Sequence, residues 1–182
     1  MVGEIRDQET AEIAINSAMT GHLVLSTLHT NDAPTALPRF LEMGIEPFLI
    51  ASTVNIIIAQ RLVRKNCTQC IVSEQVSLED LKKKFSTALI DRYFGQGDKT
   101  IRLYHGKGCK ACSSTGYAGR IGVYEILLVS EPVRELIMKR ANAEEVKQQA
   151  IKEGMKTMIE DGIKKALGGL TTVEEVLRAT RE

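Results

Sequence analysis

Four cysteines fall as Cys67-x2-Cys70 and Cys109-x2-Cys112, two knuckles of the same spacing. Each pair spans one tight turn, so both thiolates of a pair can point at one ion, and two such pairs match a tetrahedral four-thiolate zinc site. With four protein ligands and no open position, the Zn2+ would be structural. Glycines in Gly106-Lys107-Gly108-Cys109-Lys110-Ala111-Cys112 let backbone amides turn toward sulfur, and Arg64, Lys65, Lys107 and Lys110 flank the knuckles where they can offset thiolate charge. Three alternatives compete. Disulfides would allow three connectivities, but a chain of this size in a reducing compartment neither needs nor keeps them. A redox CxxC is disfavoured because neither pair opens a helix after a βαβ-type strand. Four unrelated buried thiols would ignore the pairing.

A second constellation lies near the start. An apolar run ends in Gly3-Glu4, as in a Walker B strand, where a carboxylate at a strand's C-terminal end orients the Mg2+ shell or the attacking water of a phosphoryl transfer. A solvated Glu at a strand end is the simpler alternative. His29 follows Ser26-Thr27-Leu28 one strand later. In a doubly wound sheet it would project over the same crevice, able to hydrogen-bond a terminal phosphate. For a lone His, capping or core packing competes.

These residues need elements to position them. A helix is expected over Gln8–Thr20, with Gly21 as its C′ residue. His22–Leu28 is expected as a buried strand. Asp32 is expected to cap a helix reaching Met43, distorted at Pro38 and closed by Gly44. Glu46–Gln60 is expected as a second, buried helix. Ser77–Phe94 has helical periodicity with a capping-box variant at Ser77 and Asp80. Residues 95–99 are expected as a loop, Ile101–Tyr104 as a short strand and Arg120–Val129 as a buried strand. Helices are expected over Glu131–Arg140, Ala143–Glu153, Lys156–Leu167 and Thr172–Arg181, with Ser130, Asn142 and Thr171 as caps.

Composition bounds the rest. The 182 residues carry 24 Lys+Arg against 23 Asp+Glu, a formal net charge of +1, with 43% hydrophobic and 26% charged residues. This is globular composition and excludes a mostly disordered chain. Near-neutrality removes a global electrostatic argument for nucleic acid or anionic membrane. Trp is absent and aromatics make up 4%, so the core must be aliphatic. Ile45–Ala59, the most apolar stretch, is too short to span a bilayer. No signal-peptide pattern is present, and a cytoplasmic location is expected.

The ordered blocks MVGEIRD, TGHLVLSTLHTNDA, MGIEPFLIAS, AQRLVRK, the two cysteine pairs and TGYAGRIGVYEIL closely resemble the type II secretion and type IV pilus assembly ATPases. The resemblance covers nearly the whole chain, weakening over Ile71–Thr100 and in the last helices. It implies an α/β fold: a partial RecA-like, P-loop NTPase parallel sheet, a tetracysteine zinc-binding subdomain and a C-terminal helical region. The implied divisions are 1–66, 67–112 and 113–182. Glu4 matches the family's Walker B carboxylate near Mg2+ and water, with Arg6 and Asp7 beside it. His22 and His29 match the histidines of its His box, His29 being the better γ-phosphate sensor. Cys67, Cys70, Cys109 and Cys112 match its zinc ligands. The related retraction ATPases lack these cysteines, which points to assembly or secretion.

The implied parent is a hexameric ATPase using ATP and Mg2+ to drive pilin or pseudopilin assembly. It would act in the cytoplasm, peripheral to the inner membrane through platform components, without nucleic acid and without spanning the bilayer. This chain departs from the family by holding no G-x-x-x-x-G-K-[ST] phosphate loop. Gly95-Gln96-Gly97-Asp98-Lys99-Thr100 imitates one poorly, with no helix following. A C-terminal part of a longer motor is therefore expected, inactive alone, with an incomplete sheet whose exposed edge favours association. A zinc-ribbon nucleic-acid-binding module and a non-catalytic interaction module are the alternatives.

Overall fold

The computed structural model describes residues 1–84, 87–94 and 100–180. The chain divides into two compact units: residues 1–59 with 125–157, and residues 60–124 with 158–182.

The first unit begins with an extended stretch that turns into helix α1, Gln8–Met19, capped by the Asp7 carboxylate accepting from the Thr10 N–H at 2.8 Å. Gly21 closes α1 at φ +90°, as expected of a C′ glycine. Residues 22–28 then run alongside the start of the chain. Val2 N–H donates to Leu25 O and Ile5 N–H to Thr27 O, so both segments advance in the same direction. The buried strand expected over His22–Leu28 does not form. Val24 and Leu28 pack against the core, while Leu23 and Leu25 stand 85% and 60% exposed. A buried parallel strand needs both faces covered. Here Leu23 and Leu25 instead line an open groove of about 670 Å³ with Ile56 and Ile58.

Helix α2 is Ala36–Glu42, starting three residues later than a cap at Asp32 would set. A start at Asp32 would have put Pro38 in the helix interior. Starting at Ala36 puts it in the first turn, where its missing N–H costs nothing. Asp32 instead holds the preceding turn, accepting from Thr35 N–H at 3.0 Å and from the Thr35 hydroxyl. Helix α3, Pro47–Thr53, opens with proline at N1. It stops seven residues short of the expected Gln60 because Ile56-Ile57-Ile58 is a β-branched run that favours strand, and β1 spans Ile56–Asn66. Strand β4, Tyr117–Leu128, pairs with β1 in a two-stranded sheet.

Two further helices complete the first unit, both capped as expected. Helix α6, Glu131–Met138, follows Ser130, and helix α7, Ala143–Lys152, has a reciprocal capping box between Asn142 and Glu145 at 3.0 Å each way. The aliphatic core includes Ile5, Ala14, Ile15, Leu37, Ile50, Leu127, Val133, Ile137 and Val146.

The second unit contains β2, Ile71–Ser77, and β3, Thr100–Gly106, paired antiparallel from Ile71↔Gly106 to Ser77↔Thr100. β2 was not expected, because IVSEQVS carries polar residues at its centre. The helix expected over Ser77–Phe94 is described as α4, Leu78–Lys84, and α5, Thr87–Phe94, with residues 85 and 86 outside the described set. The loop expected at 95–99 also lies outside it. Ser77 caps α4 as expected, accepting from Asp80 N–H at 3.1 Å. α8, Met158–Leu167, and α9, Val173–Thr180, pack so closely that a Cβ on Gly162 would lie 2.4 Å from Val176. Arg181, the expected last residue of α9, lies outside the described set. The cap of α9 is Thr172, whose hydroxyl accepts from Glu175 N–H at 3.3 Å. Thr171, the expected cap, donates its hydroxyl to Arg64 O at 2.7 Å.

Glu175 is 2% exposed and central to this unit. It accepts from Arg178 Nε and Nη2 at 2.9 Å each, and from Arg64 Nη2 at 2.5 Å and Arg64 N–H at 3.1 Å. Arg64 also lies 4.2 Å over the Tyr117 ring. Arg178, followed by Arg64, holds the Glu175 carboxyl well below the usual carboxylate range. A depressed folded pKa stabilises above the unfolded value of about 4.3 and is lost as pH falls below it. Glu175→Gln is therefore expected to cost about 2–3 kcal/mol at pH 7 by chemical denaturation. The variant should also lose less stability than the wild type between pH 5 and pH 2.

Candidate functional site

In the second unit the four cysteines converge. Sγ–Sγ distances are 3.9 Å for Cys67–Cys109, 3.9 Å for Cys70–Cys112 and 3.7 Å for Cys109–Cys112. All four sulfurs lie within 4.8 Å of one another. Metal–sulfur bonds of about 2.3 Å in a tetrahedron require sulfur–sulfur edges of about 3.8 Å, so the four thiols fit one ion of that kind and could hold a metal.

The backbone explains the convergence. The β2–β3 register sets Cys70, just before Ile71, beside Lys107, just after Gly106, and Lys107 N–H donates to Cys70 O at 3.1 Å. Cys67 N–H donates to Gly116 O at 2.9 Å, joining the first knuckle to the turn after the second. That turn admits only glycine where the chains cross: a Cβ on Gly106 would lie 2.1 Å from Gly116 O, and one on Gly116 2.5 Å from Gly106 O. Asn66, next to Cys67 and 3% exposed, donates its side-chain amide to Gly169 O and Thr171 O at 3.0 Å each.

Backbone amides also reach the sulfurs, as the glycine-rich sequence led us to expect. Cys109 N–H and Gly116 N–H donate to Cys112 Sγ at 3.2 and 3.3 Å. The Cys109 amide, seconded by that of Gly116, pulls the Cys112 thiol down to about 6. Desolvation pushes Cys70 up to about 12. Arg64, expected to offset thiolate charge, is committed to Glu175 and Tyr117 instead.

In the first unit, Glu4 and His29 meet at the ends of the two hydrogen-bonded extended segments. His29 Nε2 contacts Glu4 Oε1, and Arg6 approaches Glu4 Oε2 through Nε at 2.6 Å and Nη2 at 2.5 Å. The Glu4 side chain is 21% exposed and that of His29 85%. Arg6, donating to it, is the largest influence holding the Glu4 carboxyl below its ordinary value, so Glu4 is ionised at neutral pH. Thr27 Oγ1 donates to Gly3 O at 2.8 Å, pinning the two segments just before these side chains.

Of the remaining sequence candidates, Asp7 caps α1, and the Thr10 amide lowers its pKa. His22 lies with Nδ1 3.0 Å from the Thr20 hydroxyl, away from the Glu4–His29 pair in its bonding. Two residues were missed. Glu125, 3% exposed, accepts from Ala33 N–H at 3.0 Å and so fixes the turn leading into α2. Its signal was an acidic residue at an inward position of an alternating strand. Arg39, on α2, lines the same depression as Arg6 and His29. Among the described residues no helix is long and apolar enough to cross a membrane.

A family model described as Type II/IV secretion system protein matches residues 1–178. The chain is 49% identical over 183 residues to the type IV pilus assembly ATPase PilB of Thermus thermophilus, covering 100% of this chain and 20% of that protein. It is 47% identical over 187 residues to the type II secretion system protein E of Xanthomonas campestris pv. campestris, covering 100% and 31%. Among solved structures it is similar to the pilus retraction motor PilT with bound ADP, at TM-score 0.61 and 25% identity, covering 99% of this chain and 38% of that one. The Legionella pneumophila ATPase DotB shares the fold at TM-score 0.58 and 20% identity, covering 96% and 36%. The chain thus spans between a fifth and a third of the length of these two curated relatives.

Cys109→Ser is expected to reduce bound metal from one ion per chain to well below stoichiometric, measured by elemental analysis after dialysis. Hydrogen exchange should rise first in residues 67–77 and 100–116 and only later in α6 and α7; unchanged metal content would refute the assignment.

Proposed function

The chain belongs to the type II/IV secretion system protein family, and we propose that it forms part of a hexameric motor ATPase driving pilin or pseudopilin assembly at the inner membrane. On this reading it contributes the Walker B carboxylate, the His box and a zinc-stapled module on a partial RecA-like parallel sheet. The observation that carries the reading is the Glu4–His29 contact, set at the ends of two parallel-running extended segments with Arg6 on the other side of the carboxylate. Open α/β sheets bind their ligands beyond the carboxyl ends of their strands, which supports this reading of the two segment ends.

Each residue then has a role its surroundings favour. Glu4, kept ionised by Arg6, orients the attacking water or the Mg2+ shell. His29, largely exposed and resting on Glu4, donates toward a terminal phosphate. Arg6 fixes the Glu4 rotamer, and Asp7 anchors α1 behind it. His22 is a weaker candidate for nucleotide contact, since it bonds Thr20. ATP with Mg2+ supplies the phosphoryl group and neutralises its developing charge. The cysteine module, with Zn2+ as the proposed ion, supplies rigidity for contacts with neighbouring subunits or platform components, and acts from the cytoplasmic side. Assembly or secretion is favoured over retraction by the names of the relatives that are 41–49% identical and by the four cysteines.

Two outcomes test this. In the longer protein, Glu4→Gln should lower ATP turnover by about a hundredfold or more while leaving ATP binding intact; turnover within a few-fold of wild type would overturn the role of Glu4. These 182 residues hold no phosphate loop, so calorimetry on them should show no tight, stoichiometric ATP binding.

A further inference from the structure

We propose that Arg39 completes, with Arg6 and His29, a site for one tetrahedral phosphate, either the terminal phosphate of a nucleotide or the inorganic phosphate cleaved from it. This rests on the phosphoryl-transfer reading above and adds to it a residue outside both motifs. Arg39 lies ten positions beyond His29, on a different element.

The three basic side chains line one depression of about 210 Å³, floored by Ile5, Leu28 and Met43. At ~30 Å³ per water this corresponds to about seven waters, room for one phosphate with part of its hydration shell. The apolar floor limits solvent on one side and strengthens charge attraction above it.

Donor arithmetic leaves capacity for an anion. A guanidinium has five N–H donors in a fork that matches phosphate oxygens. Arg6 commits Nε and Nη2 to Glu4, and Arg39 commits Nη1 to Glu42 at 3.0 Å. The Arg39–Glu42 pair is an exposed i,i+3 contact, the weak kind that an anion readily displaces. Glu4 and Glu42 balance the two guanidiniums at rest, so an anion enters by displacing Glu42 from Arg39, which leaves two guanidinium charges against the single Glu4 carboxylate.

Rigidity separates Arg39 from an incidental surface arginine. Its helix is anchored by buried Ala36 and Leu37, and the turn before it is held by Glu125 through Ala33 N–H and by Asp32 through Thr35. Arg6 and His29 sit at the ends of extended segments, whereas Arg39 approaches from a packed helix. A phosphate bridging them would link the packed α2 to the Glu4–His29 pair.

The test is an NMR titration of the 182-residue chain at fixed pH and ionic strength, following the His29 ring resonances. Inorganic phosphate, ATP and ADP are added separately at millimolar concentrations. The expected result is a saturable His29 shift that Arg39→Gln weakens by about tenfold or more, while Arg120→Gln on β4 leaves it unchanged. Arg39 is half exposed, so the substitution should not disturb folding, which the amide spectrum verifies. A shift with inorganic phosphate identifies the cleaved product as a ligand; a shift with ATP alone identifies the attached terminal phosphate. No shift with either, an Arg39→Gln titration matching wild type, or equal weakening by Arg120→Gln overturns the proposal. Loss of ATP turnover in Glu4→Gln is independent of this readout, so either claim can fail without the other.

Discussion

Four sulfur atoms held at the edge lengths of a metal–thiolate tetrahedron constrain the whole of the second unit. Among its described residues one apolar cluster is centred on Leu81, Ile90, Phe94, Ile163, Ala166, Val173 and Leu177. The cysteine knuckles lie at the opposite end of the β2–β3 ribbon from α4 and α5. A two-stranded ribbon is marginal alone, so its open end needs a fastening that the core does not reach. The glycine crossing of Gly106 and Gly116, the amides aimed at Cys112 and the Asn66 bridge to the α8–α9 turn all serve that fastening. Without an ion, four thiols this close would lack the bonds that make the proximity favourable.

The first unit solves a different problem, holding charge in place without burying it. Glu4 is largely covered but shared between Arg6 and His29, and its ionised state follows from that sharing. Glu175 in the second unit is the fully buried counterpart, satisfied by two arginines and a backbone amide. The contrast fits the role proposed for Glu4. A carboxylate sealed between guanidiniums makes a strut, while one left partly accessible beside an exposed histidine remains available to a ligand.

Much of this was legible in the sequence, where local chemistry decided it. The cysteine spacing, the caps at Ser130, Asn142 and Ser77 and the C′ glycine at Gly21 needed only neighbouring residues. What failed depended on context. Ile56–Ile58 continued an apolar helix in pattern, yet its β-branched side chains joined β4, a partner some sixty residues away. His22–Leu28 looked like a buried strand, but burial depends on neighbours, and Leu23 and Leu25 stand open. Pro38 breaks the pattern of a helix capped at Asp32, yet it sits in the first turn of a helix that starts at Ala36. The Glu4–His29 pair could be assembled from the motif resemblance. Arg39 could not, because only the packing of α2 brings it to the same depression.

The most direct measurement is X-ray absorption at the zinc edge of the purified chain. The expected spectrum has a first shell of four sulfurs at about 2.3 Å, with one zinc per chain. A shell containing nitrogen or oxygen ligands, or sulfur–sulfur distances of about 2.05 Å between the cysteines, would contradict it.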